Sequence, residues 1–231
     1  MSSDPILASF DAIPTATIFD AHVKLGIRPP LRMLIRGSRP LLGHQSRAVG
    51  RARTQQLTIV REVSRSSLVA DRPLHFELVD KAGPGDFLVV AVPSNDELAV
   101  FGDILAAKTK ERGAVGILTD GYIRDAAFIE NIKLQTWCKG ITMVPQGFGG
   151  YSVQSVNRTV TCGGVEVSPG DIIVADGDGA IVVPLDDAEK ISKICHEMEA
   201  AEERARVGVA SGAALENLYP SRDYYRGNKP A

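Results

Sequence analysis

The sequence predicts a single α/β domain, and three observations lead to it. Segments with helical periodicity alternate with short apolar runs through the first part of the chain. The turn Pro-Gly-Asp occurs twice, each time directly ahead of such a run: Pro84-Gly85-Asp86 leads into FLVV, and Pro169-Gly170-Asp171 into IIVA. The 231 residues show no clear domain boundary, and that length supports one substantial core.

Residues 15–25 read as a helix, with Ile18, Phe19, His22 and Leu25 on one face and Gly26 ending it. Arg28-Pro29-Pro30 opens a loop. Residues 48–59 (AVGRARTQQLTI) alternate in part and read as a strand. Residues 72–81 read as a helix with Pro73 in its first turn. Gly83-Pro84-Gly85-Asp86 is a turn, its Pro-Gly order suiting type II, and residues 87–92 follow as a buried strand. Residues 104–112 carry Ala, Leu, Lys and Glu, all good helix formers, and Gly113 suits the left-handed position that ends a helix. A short buried strand over 115–118 and a turn at Asp120-Gly121 come next.

Residues 165–167, 172–175 and 180–183 read as successive strands, with tight turns at Gly163-Gly164 and Asp176-Gly177-Asp178-Gly179. Residues 186–207 form a long amphipathic helix. Ala188, Ile191, Ile194, Cys195 and Met198 make its apolar stripe, and Asp186 or Asp187 suits its N-cap. The polar tail with Tyr224, Tyr225 and Arg226 is either loose or docked on a neighbour. Residues 1–14 and 220–231 are expected as extensions of the one domain.

Composition excludes several classes. At 44% hydrophobic and 23% charged, with a formal net charge of -2, the chain gives no reason to expect nucleic acid or an anionic membrane as partner. No run approaches the ~18 apolar residues of a membrane span. MSSDPILASF lacks a basic, then apolar, signal segment. Cys138, Cys162 and Cys195 are odd in number and widely spaced, which suggests reduced thiols in a cytoplasmic protein.

The chemistry concentrates in FGDILAAKTKERGAVGILTDGYIRDAAF. A helix of about nine residues runs roughly 14 Å. A strand of about five runs roughly 16 Å back. The lengths match, so Arg124 and Asp125 are expected beside Asp103 at the helix N-terminus. Two carboxylates and a guanidinium there suit a divalent cation holding an anionic substrate. Mg²⁺ (or Mn²⁺) takes oxygen ligands and keeps waters, so Asp125 would bind it directly and Asp103 through water. The amides of Gly102, Asp103, Ile104 and Leu105 would receive a carboxylate. Arg124 would clamp a carboxylate or a keto oxygen. A small 2-keto acid fits this set, with the metal and Arg124 stabilising an enolate as a C–C bond breaks.

The run GDILAAKTKERGAVGILTDGYIRD resembles the signature segment of the RraA-like family, and CGGVEVSPGDIIVADGDGAIVVP is similar to a second block of its pattern. The resemblance covers residues 15–219 in outline. It implies a class II, metal-dependent pyruvate aldolase for 4-hydroxy-4-methyl-2-oxoglutarate or 4-carboxy-4-hydroxy-2-oxoadipate, often also an oxaloacetate decarboxylase. It implies a β core like the swivelling phosphohistidine domain, flanked by helices, assembled as a trimer or hexamer with the site between subunits. It assigns Asp125 to the metal, Asp103 to metal waters, Arg124 to the keto oxygen and the Gly102–Leu105 amides to the substrate carboxylate. Glu199 or Glu202 of a neighbour is a further candidate.

The family also contains ribonuclease regulators, which lack the acid at the Asp103 position and carry another three residues after the Arg-Asp pair. Here Asp103 is present and that later position is Phe128. Residues 28–45 and Phe148-Gly149-Gly150-Tyr151 depart from the family pattern.

Plainer readings stand beside these. Asp103 alone would be a helix N-cap, and Arg124-Asp125 alone a surface pair. Asp176-Gly177-Asp178-Gly179 lacks the glutamate of a calcium loop and the spacing of a dinucleotide fingerprint, and reads as a hairpin turn. Lys108 and Lys110 sit in a solvated KTKER run, against a Schiff-base mechanism. His22, His44, His75 and His196 form no metal motif; His22 suits a packed helix face, and Cys138 beside Trp137 a buried structural thiol.

Overall fold

The apolar runs pair in parallel at the centre of a mixed sheet. The computed structural model describes residues 4–27, 33–60, 72–146 and 150–218. In chain order come α1 (Pro5–Ala8), α2 (Thr15–Leu25), β1 (Leu34–Ile35), β2 (Arg39–Pro40), β3 (Ala48–Ile59), α3 (Arg72–Asp80), β4 (Asp86–Ala91) and β5 (Ala99–Phe101). Then follow α4 (Asp103–Glu111), β6 (Gly116–Thr119), β7 (Tyr122–Ile123), α5 (Ala126–Asn131), β8 (Thr136–Cys138), β9 (Gly140–Ile141) and β10 (Tyr151–Val156). The chain continues through β11 (Val160–Cys162), β12 (Val165–Val167), β13 (Ile172–Ala175), β14 (Ala180–Val183), α6 (Ala188–Ala210) and α7 (Leu215–Leu218).

The main sheet has the order β1-β14-β13-β3-β4-β6-β8-β2, with β10 paired to the far half of β3. Its centre, β3-β4-β6-β8, is parallel, and the strands around it are antiparallel. Helices cover both faces, so the central strands are apolar on both. Along β4 the side chains alternate. Phe87, Val89 and Ala91 enter one core with Phe10, Ile18, Ile191 and Cys195; Leu88 and Val90 enter the other with Leu78, Ala106 and Ile129. Thus α2 and α6 lie on one face, and α3, α4 and α5 on the other.

The two Pro-Gly-Asp turns are the same local structure. Gly85 and Gly170 adopt φ of 85° and 89°, where glycine avoids a Cβ clash. In each, the aspartate takes the backbone N–H three residues earlier on its carboxylate: Gly83 to Asp86 at 3.0 Å, Ser168 to Asp171 at 2.8 Å. The turns flank β3, where Arg51 donates to Gly85 O at 2.8 Å and Ala52 to Asp171 O at 2.7 Å.

Most expected elements form within a residue or two. There are differences. The long helix runs on to Ala210; Asp187 holds its N-cap position, after a 3-10 turn at Leu185–Asp187, but no side-chain bond caps it. Residues 123–125 do not continue the strand over 115–118; that strand stays in the main sheet as β6, and a separate parallel sheet, β5-β7-β9, carries the return. Arg28-Pro29-Pro30, Phe148-Gly149 and the tail with Tyr224, Tyr225 and Arg226 lie outside the described residues.

Candidate active site

The small parallel sheet builds the site. Ala99 pairs with Tyr122 and Phe101 with Ile123, so both strands end at the same edge. The Arg124 N–H donates to Phe101 O at 2.9 Å, which fixes Arg124-Asp125 beside Gly102-Asp103. Asp125 Oδ2 accepts the Asp103 N–H at 3.2 Å and lies 3.2 Å from Arg124 Nε. The structure therefore brings Asp103, Arg124 and Asp125 together at the N-terminus of α4, where free amides and the helix dipole favour negative charge.

Three local features differ from a simple helix cap. Gly102, not Asp103, is the N-cap residue of α4, and Asp103 is its first helical residue. Asp103 turns its Oδ1 onto the Ile104 N–H at 2.8 Å. Two of the four amides expected for a substrate carboxylate, those of Asp103 and Ile104, thus already hold carboxylates of this chain. Asp125 sits in the left-handed region, at φ 58° and ψ 38°, which Asp tolerates better than most residues. Its Oδ1 makes no hydrogen bond among the described residues, so this oxygen is open to a ligand.

Sequence reasoning missed the part played by the Gly102 Cα. Its backbone is extended and needs no glycine for torsional reasons. A Cβ there would stand 2.9 Å from Asp125 Oδ2 and 3.1 Å from Arg124 Nε. The missing side chain lets the Arg-Asp pair close on the helix end. The signal was present as a glycine directly before the acid.

The site is open. Arg124 and Asp125 side chains keep 42% and 38% of their exposure. Ile104 and Met143 stand beside it at 74% and 88% exposed, the latter through the Thr142 N–H bond to Ile123 O. Glu199 and Glu202 do not join the site within one chain. Glu199 accepts from Thr17 Oγ1 on α2, across the sheet from α4, and Arg206 ties Glu199, Glu202 and Glu203 together. Among the described residues no group of three or more His, Cys, Asp or Glu side chains could hold a metal.

The remaining candidates fall to structural roles. Lys108 pairs with Glu111 at 2.6 Å in solvent, and Lys110 is exposed. His22 is buried on the α2 face, His44 and His196 are exposed, and the His75 side chain lies outside the description. The cysteines are free and buried. Burial pushes the Cys138 thiol up to about 11 and the Cys195 thiol up to about 12, so neither is a ready nucleophile. Asp176-Gly177-Asp178-Gly179 closes the β13–β14 hairpin, and its Asp176 carboxylate accepts the Thr15 N–H at 2.9 Å and the Thr15 hydroxyl at 2.8 Å, capping α2.

Asp103, Asp125 and the Arg124 guanidinium thus meet at one helix N-terminus at the edge of an α/β fold. Residues 15–182 match the RraA-like family model, described as Aldolase/RraA, and the chain belongs to that family. A protein of Halalkalibacterium halodurans named "Putative 4-hydroxy-4-methyl-2-oxoglutarate aldolase" is 29% identical over 213 residues, 92% of each chain. A Pseudomonas aeruginosa protein of the same name is 36% identical over 114 residues, 49% of this chain and 69% of that one. Among solved structures, Streptomyces coelicolor RraAS2 superposes with a TM-score of 0.77 at 31% identity, covering 89% of this chain and 97% of that one. It is described as an unusual member of the RNase ES inhibitor RraA protein family. A Pseudomonas syringae protein shares the fold at a TM-score of 0.78 and 24% identity, over 93% and 96% of the two chains. No helix among the described residues is long and apolar enough to cross a membrane.

Proposed function

We propose that the protein is a divalent-metal-dependent carbon–carbon lyase. It cleaves a 4-hydroxy-2-oxo diacid to pyruvate and a second 2-keto acid, and it decarboxylates oxaloacetate through the same pyruvate enolate. The observation that carries this reading is the convergence of Asp103, Arg124 and Asp125 on one helix N-terminus, joined by the Asp103 N–H to Asp125 Oδ2 bond. The aldolase names of the relatives support it.

The donor set fits Mg²⁺ (or Mn²⁺), which needs only one or two carboxylates and completes its shell with water and substrate. Asp125 would hold it through the open Oδ1, and Asp103 through water. Bound there, the cation supplies Lewis-acid polarisation of the 2-keto group.

The chain's own residues do the rest. The α4 amides from Gly102 to Leu105 bind the substrate carboxylate, which takes the place of the internal carboxylates on the Asp103 and Ile104 amides. Arg124 donates to the 2-keto oxygen and stabilises charge as it grows there. The C4 hydroxyl loses its proton to a base, either a water ordered by Asp103 or Glu199 or Glu202 of a neighbouring copy. The C3–C4 bond breaks, its electron pair passes to C3 and the keto oxygen, and protonation at C3 releases pyruvate. The family resemblance implies a trimer or hexamer, in which neighbouring copies would share the site. We place the protein in the cytoplasm.

A second reading is a ribonuclease regulator without catalysis, favoured by the likeness to RraAS2. Asp103 and Phe128 weigh against it, since both depart from the regulator pattern. A third is a metal-dependent lyase or hydratase for another sugar-derived keto acid, which a substrate screen separates from the first.

The test is pyruvate release from 4-hydroxy-4-methyl-2-oxoglutarate and from oxaloacetate, coupled to lactate dehydrogenase. Turnover should require Mg²⁺ or Mn²⁺, stop in EDTA and vanish in Asp125→Asn. A folded oligomer that turns over neither substrate with either metal, and instead binds a ribonuclease stably, would establish the regulator.

A further inference from the structure

We propose a second ligand site: a cleft of about 410 Å³ at the far end of β7 from Arg124, binding a small organic anion on Arg36 and Lys139. Its walls include Ser94, Asn95, Asp120 and Gly163, and none of its lining belongs to the Asp103–Arg124–Asp125 cluster. Asp120 lies before β7, across the bend at Asp120-Gly121, and Arg124 directly after it, so the two clusters sit at opposite ends of this strand.

Charge carries the assignment. Arg47, Arg51, Arg53, Arg124 and Arg206 each sit against a carboxylate. The Arg36 guanidinium has no hydrogen bond or ion pair among the described residues, and Arg36 is an exposed residue lining the cleft. Lys139 Nζ has no carboxylate either. Its contacts are Asn95 Oδ1 at 2.8 Å and the Tyr122 ring at 5.5 Å. Two cations without counter-ions therefore line one cleft. Asp120 leaves the walls with a net positive charge. Both its oxygens are already engaged, Oδ1 by the Val92 N–H at 2.9 Å and Oδ2 by the Gly163 N–H at 2.7 Å.

The walls are built, not incidental. Asp120 ties the end of β4 to the β11–β12 turn. The Arg36 N–H donates to Gly163 O at 3.3 Å, and a Cβ on Gly163 would meet Arg36 N at 2.6 Å. Only glycine lets these backbones approach so closely. On the opposite wall, Ser94 Oγ donates to Asp96 and lies 2.7 Å from the Tyr151 hydroxyl, which fixes the Ser94-Asn95 segment.

Size selects the ligand. A water takes about 30 Å³ of the liquid, so the cleft has room for far more than a single ion or water. The cleft falls in the lower range of small-molecule pockets, ~300–1,000 Å³. Its charged and amide lining suits a carboxylate or phosphate group on a polar body. Arg36 also lies in the 28–45 stretch that departs from the family pattern, so nothing in the aldolase reading uses it.

The experiment is calorimetric titration of the full chain in EDTA with citrate, with glycerol 3-phosphate and with glycerol. Saturable binding of citrate or glycerol 3-phosphate but not glycerol is expected; which of the two binds separates the carboxylate from the phosphate class. Arg36→Gln and Lys139→Gln should each weaken it about tenfold or more, as expected for a lost charge-assisted hydrogen bond, while Arg124→Gln leaves it unchanged. Neither Arg36 nor Lys139 is buried, and melting curves at the wild-type temperature would show both variants folded. The proposal fails if neither anion binds in the millimolar range, if both cation variants bind like wild type, or if Arg124→Gln abolishes binding and so assigns the anion to the catalytic cluster.

Discussion

Replacing Gly102 by alanine tests whether the Arg124–Asp125 pair must close on α4 for turnover. The backbone at Gly102, φ -144° and ψ -170°, suits alanine, so no torsional strain arises. Alanine is a poorer N-cap than glycine, by about 1 kcal/mol at most. In a chain of this length that lowers the melting temperature by roughly 2–4 °C. The new Cβ would lie 2.9 Å from Asp125 Oδ2, 3.1 Å from Arg124 Nε and 3.3 Å from Arg124 Cγ. Comfortable non-bonded separations are roughly 3.5 Å, so the carboxylate must retreat by about half an ångström. That retreat shifts the Asp125 carboxylate and Arg124 away from the α4 end. The long 3.2 Å bond to the Asp103 N–H goes with it, but substrate would displace that bond in turnover, so the shift of the two side chains is what is tested.

The two side chains are exposed enough to move, so the fold survives and the geometry does not. A misplacement of about 1 Å at a reacting centre can cost about 100-fold in rate, so about half an ångström should cost about tenfold. The coupled pyruvate assay with Mg²⁺ should show that loss in kcat/KM, beside a melting temperature lowered by only a few degrees. Wild-type turnover by Gly102→Ala would refute the reasoning, because the pair would then work away from the helix end. A collapse in melting temperature that tracks the loss of activity would also refute it, since Gly102 would then matter to the fold.

Three further outcomes follow. Asp125→Asn should abolish metal-dependent turnover yet melt near wild type, because Asn also tolerates the left-handed backbone; Asp125→Ala should melt lower by an additional 1–2 kcal/mol or so of backbone cost. Equal melting of the two would deny the strain, and an active Asn variant would remove Asp125 as a ligand. Asp176→Ala should cost about 1–2 kcal/mol in urea unfolding, as loss of the α2 cap, while kcat/KM stays at the wild-type value; lost turnover in folded protein would give that turn a role in chemistry. Cys138 and Cys195 titrate higher in the folded protein than a free thiol does, at about 11 and about 12 against 9.0. Above pH 9 the unfolded chain therefore holds fewer protons than the folded one, so the urea midpoint should fall as pH rises from 9 toward 11, and Cys138→Ser should flatten that slope.

What the sequence made legible was local. The hairpins around Gly163-Gly164 and Asp176-Gly177-Asp178-Gly179 carry their turn chemistry within four residues, and β12, β13 and β14 form where expected. The helix over 15–25 was legible from its apolar face and Gly26. Strands of two or three residues, such as β1, β5, β7 and β9, were not; they are too short to show a period, and their partners lie far along the chain. Bringing Asp103 to Arg124-Asp125 was legible through matched lengths, although the return runs through a separate sheet. The left-handed Asp125 and the void at Gly102 were not, because they arise only once the two segments meet.

Among the described residues, the α2 and α4 N-termini each receive a carboxylate from a distant part of the chain, and the two differ in how the carboxylate is used. At α2, Asp176 engages both oxygens: Oδ2 takes the Thr15 N–H, Oδ1 takes the Thr15 hydroxyl and the Asp178 N–H, and Arg47 stands 3.7 Å away. Its side chain keeps 16% of its exposure, so no capacity is left for a ligand. At α4, Asp125 engages one oxygen only, keeps 38% of its exposure, and holds a backbone conformation that Asp pays to adopt. A cap that served the fold alone would be placed as Asp176 is, with its oxygens satisfied on an unstrained backbone. The half-used and exposed carboxylate at α4, with Arg124 beside it and a glycine clearing its way, is the geometry that the proposed metal-dependent lyase would need, and the Asp125 and Gly102 variants test that reading.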